Sequence, residues 1–278
     1  MRHAAVLGSP IAHSLSPVLH RTAYTELGLD DWSYEAHECT EDGLAAFLDG
    51  LDDSWAGLSL TMPLKREALK LTDECGPLAV QVGGANTILL RNGRRFAENT
   101  DVYGVVTALT EAGIRPGGAL VLGGGATAAS ALVALHELGL TAVTLAVRDR
   151  RRAVEAAMAG ERAGLAVSVR TLDDLPKLLA EQPSSGLIVS TVPGDATAPY
   201  APLITRARPD LAVFDVVYAP WPTTLGALAQ AAGSTVVGGL PMLLHQAVRQ
   251  VELMTGRQDV PVEVMRAAAL AEQRLRSR

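Results

Sequence analysis

The sequence is poor in cysteine, in aromatic side chains and in lysine. Its 278 residues include two cysteines, Cys39 and Cys75, and aromatic residues make up 4% of the chain. Two thiols this far apart exclude a disulfide framework and a zinc cluster, and we expect both to be reduced. The net charge of −6, without a basic or aromatic stripe, argues against nucleic acid or an anionic lipid surface as a partner.

The chain also lacks long apolar runs. The apolar residues at its start break at Gly8, Ser9 and Pro10, too early for the core of a signal peptide. The longest uncharged run, residues 116–135, contains three successive glycines and two hydroxyl side chains, which predicts strand, turn and helix rather than a membrane span. We therefore expect a cytoplasmic protein with no membrane partner.

Hydrophobic residues, in contrast, are plentiful at 48%, with 19% charged, which is enough for one large domain or two ordinary ones. In the first hundred residues short apolar runs alternate with longer amphipathic ones. This alternation predicts parallel strands with helices on both faces. The predicted strands are residues 4–7, 33–36, 56–60 and 85–90. The predicted helices are residues 16–27, 41–51, 63–71 and about 102–112.

A second α/β unit follows the glycine-rich loop at residues 113–118. It predicts a doubly wound sheet of about six strands. The strands we identify are residues 119–122, 142–147, 166–169, 186–190 and 212–216. The helices are residues 126–138, 151–163 and about 174–180. Two amphipathic helices, residues 240–255 and 262–274, end the chain, and periodicity alone does not tell whether they return to the first unit.

A glycine turn between a predicted strand and a predicted helix suggests dinucleotide binding. Residues 123–128 fit G-x-G-x-x-A. Gly123 permits the tight turn, Gly125 lets the backbone approach a pyrophosphate, and Ala128 lets the helix pack closely. The alternative is a turn with a purely structural role.

The segment after the next strand bears on which dinucleotide is bound. Arginines there would bind a 2′-phosphate, whereas an acidic residue would accept hydrogen bonds from a free ribose hydroxyl. Arg148, Arg150, Arg151 and Arg152 favour NADP, and Asp149 keeps NAD open.

Three polar segments lie near predicted strand ends in the first unit. Ser14 and Ser16 suit a small carboxylate, or simply cap a helix. Lys65, one of only three lysines, is predicted in the first turn of a helix that begins at Pro63, where the helix dipole favours a neutral amine suited to proton transfer. Asn86 and Asp101 could orient hydroxyls, or serve as turn and capping residues.

Taken together, seven segments resemble the shikimate dehydrogenase family in order and spacing over nearly the whole chain. The family motifs are G-x-P-I-x-H-S-x-S-P, N-V-T-x-P-x-K, A-V-N-T, N-T-D, G-x-G-[GA]-[AST], N-R-[TS]-x-x-R and G-x-x-M-L-x-x-Q. The matching residues are 8–17, 59–65, 85–87, 99–101, 123–127, 148–152 and 239–246.

The resemblance implies a two-domain α/β fold. An N-terminal substrate-binding and catalytic domain, residues 1–102, would be completed by the C-terminal helices in residues 239–278. A Rossmann-type NADP-binding domain with a doubly wound parallel sheet would be inserted at residues 103–238.

The resemblance also implies the site residues, position by position. Ser14 and Ser16 would bind the substrate carboxylate, and Lys65 and Asp101 would form the catalytic pair. The residues that would hold substrate hydroxyls or lie beside the substrate are Thr61, Lys65, Asn86, Asp101, Tyr218 and Gln246. The cofactor-binding residues would be Gly123, Gly125, Ala126, Thr127, Ala128, Arg148, Arg152, Thr191, Val192, Gly239 and Met242. No metal is implied.

Several positions depart from the family pattern. Ser59 stands where the family has asparagine, which predicts a lost or water-filled polar contact near the site. Val147 and Asp149 replace residues of the N-R-[TS] segment and weaken the expectation of NADP. Thr191 and Val192 lie in a segment that replaces N-A-T-[SP].

The implied function is the NADP-dependent, reversible reduction of 3-dehydroshikimate to shikimate, in aromatic amino-acid and chorismate biosynthesis. Lys65 would handle the proton as a neutral base or as a cation that stabilises an alkoxide, with Asp101 orienting it. Two alternatives stay open, an NAD-dependent quinate/shikimate dehydrogenase and a non-catalytic dinucleotide-binding regulator. The sequence also leaves a homodimer open.

Overall fold

The computed structural model describes residues 1–276. The chain forms two compact units, residues 1–101 with 243–276, and residues 102–242. The helices Asp101–Glu111 and Gly239–Thr255 contain the two unit limits. The predicted domain limits differ from these by a few residues, and the last two residues of the predicted first domain lie outside the described chain. The roles assigned to the two domains stay predictions.

The first unit is built on a six-stranded sheet. Its strands are β1 (Arg2–Gly8), β2 (Trp32–Glu38), β3 (Trp55–Leu60), β4 (Glu74–Cys75), β5 (Thr87–Arg91) and β6 (Arg94–Glu98). They lie in the order β2-β1-β3-β5-β6-β4, and β1 pairs in parallel with β2 and β3. The short helices that follow these strands are α1 (Ser16–Glu26), α2 (Glu41–Asp49), α3 (Glu67–Lys70) and α4 (Pro77–Val82).

The far edge of this sheet is not parallel as predicted. β5 runs antiparallel to β3 and forms a hairpin with β6, a strand that the sequence analysis missed. The hairpin turn is Asn92-Gly93, and both residues have positive φ, 52° and 71°. Asparagine followed by glycine is the pair that a two-residue hairpin turn favours, so the signal was present in the sequence.

The helix predicted over residues 63–71 is also shorter, because α3 begins only at Glu67 after a turn. The Leu69 N–H donates to the Arg66 carbonyl at 3.2 Å instead of to Lys65, and the Lys65 carbonyl accepts the Ala85 N–H at 2.7 Å, so the helical hydrogen bond at Lys65 is not formed. Lys65 therefore precedes the helix. The helix-dipole argument for a neutral Lys65 amine is wrong.

The second unit is a fully parallel six-stranded sheet. Its strands are β7 (Gly118–Leu122), β8 (Ala142–Val147), β9 (Ala166–Thr171), β10 (Gly186–Ser190), β11 (Ala212–Asp215) and β12 (Val236–Val237). Their order, β12-β11-β10-β7-β8-β9, is that of a doubly wound dinucleotide-binding sheet. Every residue of β10 is buried, as a strand covered on both faces requires.

The helices after β6 are α5 (Asp101–Glu111), α6 (Ala126–Glu137), α7 (Val154–Ala163), α8 (Leu175–Ala180), α9 (Ala201–Ala207), α10 (Thr224–Ala231), α11 (Gly239–Thr255) and α12 (Val262–Arg276). The part of α11 from Leu243 onward and α12 belong to the first unit, and α12 packs on α1. The predicted fold class, an α/β domain completed by C-terminal helices around an inserted Rossmann-type sheet, is confirmed.

Residues 1–276 contain neither a helix that could cross a membrane nor a cluster of potential metal ligands. None of their helices is both long enough and apolar enough to cross a lipid bilayer. Their histidine, cysteine, aspartate and glutamate side chains form no group of three that could hold a metal ion.

Candidate active site

Lys65 and Asp101 form a buried ion pair in the first unit. Lys65 Nζ lies 2.5 Å from Asp101 Oδ2, and the two side chains are 14% and 6% exposed. The sequence separates them by 36 residues, so the fold brings them together. A charged pair shielded in this way holds a fixed geometry and keeps a proton donor beside a proton acceptor.

Backbone contacts fix the position of Lys65. Its carbonyl accepts the Ala85 N–H, which ties it to the residue before Asn86. A Cβ added to Gly84 would lie 3.4 Å from the same carbonyl oxygen, so the two segments are in van der Waals contact. The Lys65 backbone is therefore held against the segment that carries Gly84 and Ala85.

Asp101 is positioned by the residue two before it. Asn99 Nδ2 donates to the Gly84 carbonyl at 2.8 Å, and Asn99 Oδ1 accepts the Asp101 N–H at 3.1 Å. Asp101 begins α5, so its carboxylate lies at the end of the helix that favours negative charge.

Asn86 connects this pair to the C-terminal helices. Its Nδ2 donates to Asp101 Oδ1 at 2.9 Å, to Thr100 Oγ1 at 2.9 Å and to Gln246 Oε1 at 3.2 Å. Its Oδ1 accepts the Thr100 N–H at 2.8 Å. Asn86 is 2% exposed and Gln246 is 7% exposed. Four predicted site residues, Lys65, Asn86, Asp101 and Gln246, thus form one hydrogen-bonded cluster.

The two predicted carboxylate-binding serines lie at the start of α1. Ser14 Oγ accepts the Ser16 N–H at 3.2 Å, but the N-cap residue of α1 is Leu15 and no side chain caps the helix, so the capping alternative is wrong for both serines. The loop before them is held by Glu38, which accepts from the Ser9 hydroxyl at 2.5 Å and from the Ile11 N–H at 3.1 Å. Among the described residues, no hydrogen bond joins either serine directly to Lys65 or Asp101.

Thr61 lies against the first residues of the serine loop. Its N–H donates to the Leu7 carbonyl at 2.9 Å. A Cβ added to Gly8 would lie only 2.3 Å from Thr61 Cγ2, so glycine at that position lets the two segments meet.

Ser59 does not leave a lost polar contact, contrary to the sequence expectation. Its hydroxyl accepts from Tyr34 at 2.6 Å and donates to Gln250 Oε1 at 2.7 Å. All three side chains are buried. Burial raises the pKa of Tyr34 well above its ordinary value, and the hydrogen bond with Ser59 opposes that shift.

The glycine turn in the second unit has the geometry of an anion-binding loop. Gly123 has φ +110°, and a Cβ there would meet Thr191 Oγ1 at 2.6 Å and Val192 Cγ1 at 3.0 Å. A Cβ on Gly125, in contrast, would meet nothing within 4 Å. Gly125 caps α6, so its open side faces the helix N-terminus.

The remaining predicted residues of this turn begin α6. Ala126 and Thr127 occupy its first positions, and Ala128 is fully buried. A small side chain at residue 128 lets the helix pack closely on the sheet, as the motif requires.

The arginine segment packs directly on the glycine turn. A Cβ on Gly124 would lie 2.9 Å from Ala153 Cα and 3.2 Å from the Arg152 carbonyl oxygen. Residues Arg150–Ala153 form a 3₁₀ turn rather than the predicted start of a helix, because the Asp149 carboxylate caps this turn by accepting the Arg151 N–H. Gly124 is therefore necessary to this packing, which the sequence analysis did not recognise.

Asp149 and Arg148 differ in their partners. The Arg151 guanidinium donates to both Asp149 oxygens, at 3.1 and 3.0 Å, and this hydrogen bonding lowers the pKa of Asp149. Arg148 is exposed and has no hydrogen-bond or ion-pair partner within residues 1–276. Arg148 is available to a phosphate, whereas the Asp149 carboxylate already has a guanidinium partner.

Three other predicted residues lie in the second unit. Tyr218 follows β11 and is half-buried. A Cβ on Gly239 would lie 2.0 Å from the Val216 carbonyl oxygen, so this position needs glycine. Met242 is 8% exposed. The structure places Gly239 beside the strand end that carries Tyr218, and it assigns no contact between these residues and a ligand.

Comparison with known proteins agrees with the motifs. The family model for the shikimate dehydrogenase substrate binding domain matches residues 6–88, and that for the Shikimate 5′-dehydrogenase C-terminal domain matches residues 239–270. A curated relative, the NADP(+) shikimate dehydrogenase of Sinorhizobium medicae, is 34% identical and is aligned over 98% of this chain and 96% of its own.

Two solved structures are similar over their full length. The shikimate dehydrogenase of Mycobacterium tuberculosis is 43% identical with a TM-score of 0.87, covering 98% of this chain and 100% of its own. The enzyme of Thermus thermophilus in complex with NADP(H) and shikimate is 35% identical with a TM-score of 0.84, covering 98% and 99%.

Proposed function

Because the chain belongs to the shikimate dehydrogenase family, we propose that it is an NADP-dependent enzyme that interconverts 3-dehydroshikimate and shikimate. The observation that carries this proposal is the buried Lys65–Asp101 pair with Asn86 and Gln246 hydrogen-bonded around it. A polar cluster this well enclosed costs stability unless its groups are paired, and it supplies both a proton and hydrogen-bonding groups for hydroxyls.

The second unit fits a dinucleotide. The open space beside Gly125 at the start of α6 leaves room for a pyrophosphate, and Arg148 is free to bind a 2′-phosphate. The proposed cofactor residues are those named from the sequence, with Thr191 and Val192 packed against Gly123. When bound, the nicotinamide exchanges a hydride with the hydroxyl-bearing carbon of the substrate.

Lys65 handles the proton in this proposal. Its pairing with Asp101 supports an ammonium group, which in the direction of reduction donates a proton to the substrate carbonyl oxygen as that oxygen becomes a hydroxyl. Asp101 holds Lys65 Nζ through one carboxylate oxygen, while Asn86 binds the other oxygen. In the direction of oxidation, the same groups accept the proton from the substrate hydroxyl.

The substrate itself would be held by hydroxyl and amide groups. Ser14 and Ser16 bind its carboxylate, in line with the polar, anchored loop that carries them. The groups proposed to contact its hydroxyls or ring are Thr61, Asn86, Asp101, Tyr218 and Gln246.

Two rival functions are discriminated by specific features. An NAD-dependent quinate/shikimate enzyme would need Asp149 for the ribose hydroxyls, but Arg151 occupies its carboxylate. A non-catalytic regulator would have no need of a buried Lys65–Asp101 pair.

The test is an initial-rate assay of cofactor reduction, with shikimate or quinate crossed against NADP or NAD. We expect turnover with shikimate and NADP. Arg148→Ala should raise the KM for NADP about 10-fold, because one charge-assisted contact is lost, and leave the KM for NAD unchanged. Arg162→Ala, an exposed arginine of α7, is the matched control. Preference for NAD in the unmodified protein would contradict the cofactor assignment, and no turnover with any pair would contradict the function.

We also propose a cytoplasmic location and a homodimer. Both cysteines are free thiols, which suits a reducing compartment. Sedimentation equilibrium of the purified chain tests the dimer, and a single species at the mass of one chain would contradict it.

A further inference from the structure

Gln250 is a buried amide on α11 that neither the motifs nor the proposed mechanism uses. It lies four residues after Gln246, so both side chains project from the same helix face. Gln250 is 1% exposed. Its Nε2 donates to the Asn86 carbonyl at 3.1 Å and to Thr87 Oγ1 at 2.9 Å, and its Oε1 accepts from Ser59 at 2.7 Å.

The donor and acceptor roles in these hydrogen bonds are fixed by the Asn86 backbone carbonyl. The Asn86 backbone carbonyl can only accept, so the Gln250 NH2 group must face it and Oε1 must face Ser59. Because the backbone carbonyl sets the orientation of the Gln250 amide, the amide determines that Ser59 donates to it and that Thr87 accepts from it.

One branch leads to the catalytic pair. Thr87 Oγ1 accepts from Gln250, so its own hydrogen is directed to Asn86 Oδ1 at 3.0 Å. With Asn86 Oδ1 engaged as an acceptor, the Asn86 NH2 group faces Asp101 Oδ1, which binds it at 2.9 Å. Gln250 thus reinforces the amide orientation that Asp101 requires.

The other branch leads to the serine pair. Ser59 gives its hydrogen to Gln250 and therefore accepts from Tyr34. Tyr34 in turn stacks on His20 with ring centroids 3.9 Å apart, and His20 Nδ1 is hydrogen-bonded to the Ser16 carbonyl at 2.9 Å. A chain of contacts thus runs from Gln250 through Ser59, Tyr34 and His20 to the Ser16 backbone.

We propose that Gln250 is a positioning residue for the reaction, which sets the orientation of the Asn86 amide and, through Ser59, Tyr34 and His20, the position of Ser16 at the start of α1. The inference rests on the proposed function, since it assigns Ser16 and Asn86 to the substrate. In the family motif an asparagine stands at residue 59; in this chain the side-chain amide beside Ser59 comes from α11.

The experiment compares kcat and KM for shikimate with KM for NADP in four variants of the full chain. Gln250→Met keeps the length of the side chain and removes its hydrogen bonds. Thr87→Val cuts the Asn86 branch, and Tyr34→Phe cuts the Ser16 branch. Val251→Ala is the control, because Val251 is fully buried on the same helix and carries no polar side-chain group.

We expect Gln250→Met to lower kcat/KM for shikimate about 10-fold while the KM for NADP stays unchanged, because misplaced supporting groups degrade the geometry of the reacting ones. Thr87→Val should act mainly on kcat and Tyr34→Phe mainly on KM for shikimate. Each should have little further effect in the Gln250→Met background, because residues of one network are not additive. Val251→Ala should lower Tm with kinetics unchanged.

Three results would overturn the inference. They are wild-type kinetics in Gln250→Met, an equal loss of kcat/KM for shikimate and for NADP in that variant, and fully additive effects in the double variants. If Gln250→Met does not fold, Thr87→Val and Tyr34→Phe test the two branches separately, and unchanged kinetics in both would overturn it as well. Absence of shikimate turnover in the unmodified chain is a different result, because it contradicts the proposed function itself.

Discussion

His20 is a buried titratable side chain with a clear consequence for stability. It is fully buried and stacks on Tyr34, with ring centroids 3.9 Å apart and planes inclined by 15°. Burial lowers its pKa from 6.5 to about 4, and a hydrogen bond with the Ser16 carbonyl opposes that shift. Between these two values the unfolded chain binds a proton that the folded chain does not, so the stability from this group is lost as the pH falls.

We predict that the wild-type chain loses about 2 kcal/mol more than His20→Phe in free energy of unfolding between pH 7 and pH 4.5. Phenylalanine retains the stacked ring but cannot be protonated. The measurement is urea unfolding of both proteins at the two pH values. Equal losses in the two proteins would show that His20 does not take up this proton.

At the scale of residues, candidate site residues were easier to identify from the sequence than the contacts that those residues make. The rarity of lysine directed attention to Lys65, but its placement in a helical first turn was wrong, because α3 begins only at Glu67 and the Leu69 N–H donates to Arg66 instead of Lys65. Ser59 was expected to leave a polar gap, and Gln250, 191 residues away, fills it. Local sequence carries no information on a partner at that separation.

At the scale of elements, the glycine turn before α6 contains a position, Gly125, where a substitution should affect ligand binding without affecting folding. Gly125 has φ −88°, which any residue adopts, and a Cβ there meets nothing in the protein within 4 Å. The same open space is where a pyrophosphate would approach the helix N-terminus.

Gly125→Ala should therefore keep its Tm and weaken NADP binding by about 10-fold or more, since overpacking against the ligand costs about 1–3 kcal/mol. Differential scanning fluorimetry and titration of NADP into the protein measure the two effects. Gly43→Ala, a helical glycine of α2 with a 3.6 Å nearest approach to its Cβ, is the control. Unchanged NADP affinity in Gly125→Ala would refute this role for the turn.

Elements with strong periodicity were predicted to within a few residues, whereas short ones were not. The strand over residues 142–147 and the start of the helix at residue 126 agree with the structure. The elements missed entirely are β4, β6, β12, α4, α9 and α10. They have two to eight residues each, too few for a periodic pattern to emerge, and tertiary hydrogen bonds decide most of them.

At the scale of the whole molecule, alternation of strands and helices was sufficient to predict two α/β parts. It could not reveal the antiparallel edge in the first unit, because a hairpin there depends on two turn residues rather than on alternation. The spacing of residues along the chain also could not predict the cluster of Lys65, Asn86, Asp101 and Gln246, because these residues come from separate segments. The family resemblance identified them, and their roles stay proposals.

The central claim is that this enclosed cluster transfers the proton during turnover, and Lys65→Met tests it most directly. Methionine retains an unbranched stem and removes the ammonium group. Initial rates give kcat, and equilibrium titration gives the Kd of shikimate. Lys70→Met, which removes an exposed lysine paired with Glu67 on α3, is the control.

We predict that Lys65→Met lowers kcat by about 10²- to 10⁴-fold, the usual contribution of a general acid–base, while the Kd of shikimate changes little. Lys70→Met should match the wild type in both. A Lys65→Met protein that turns over shikimate at the wild-type rate would remove Lys65 from the mechanism and contradict the account.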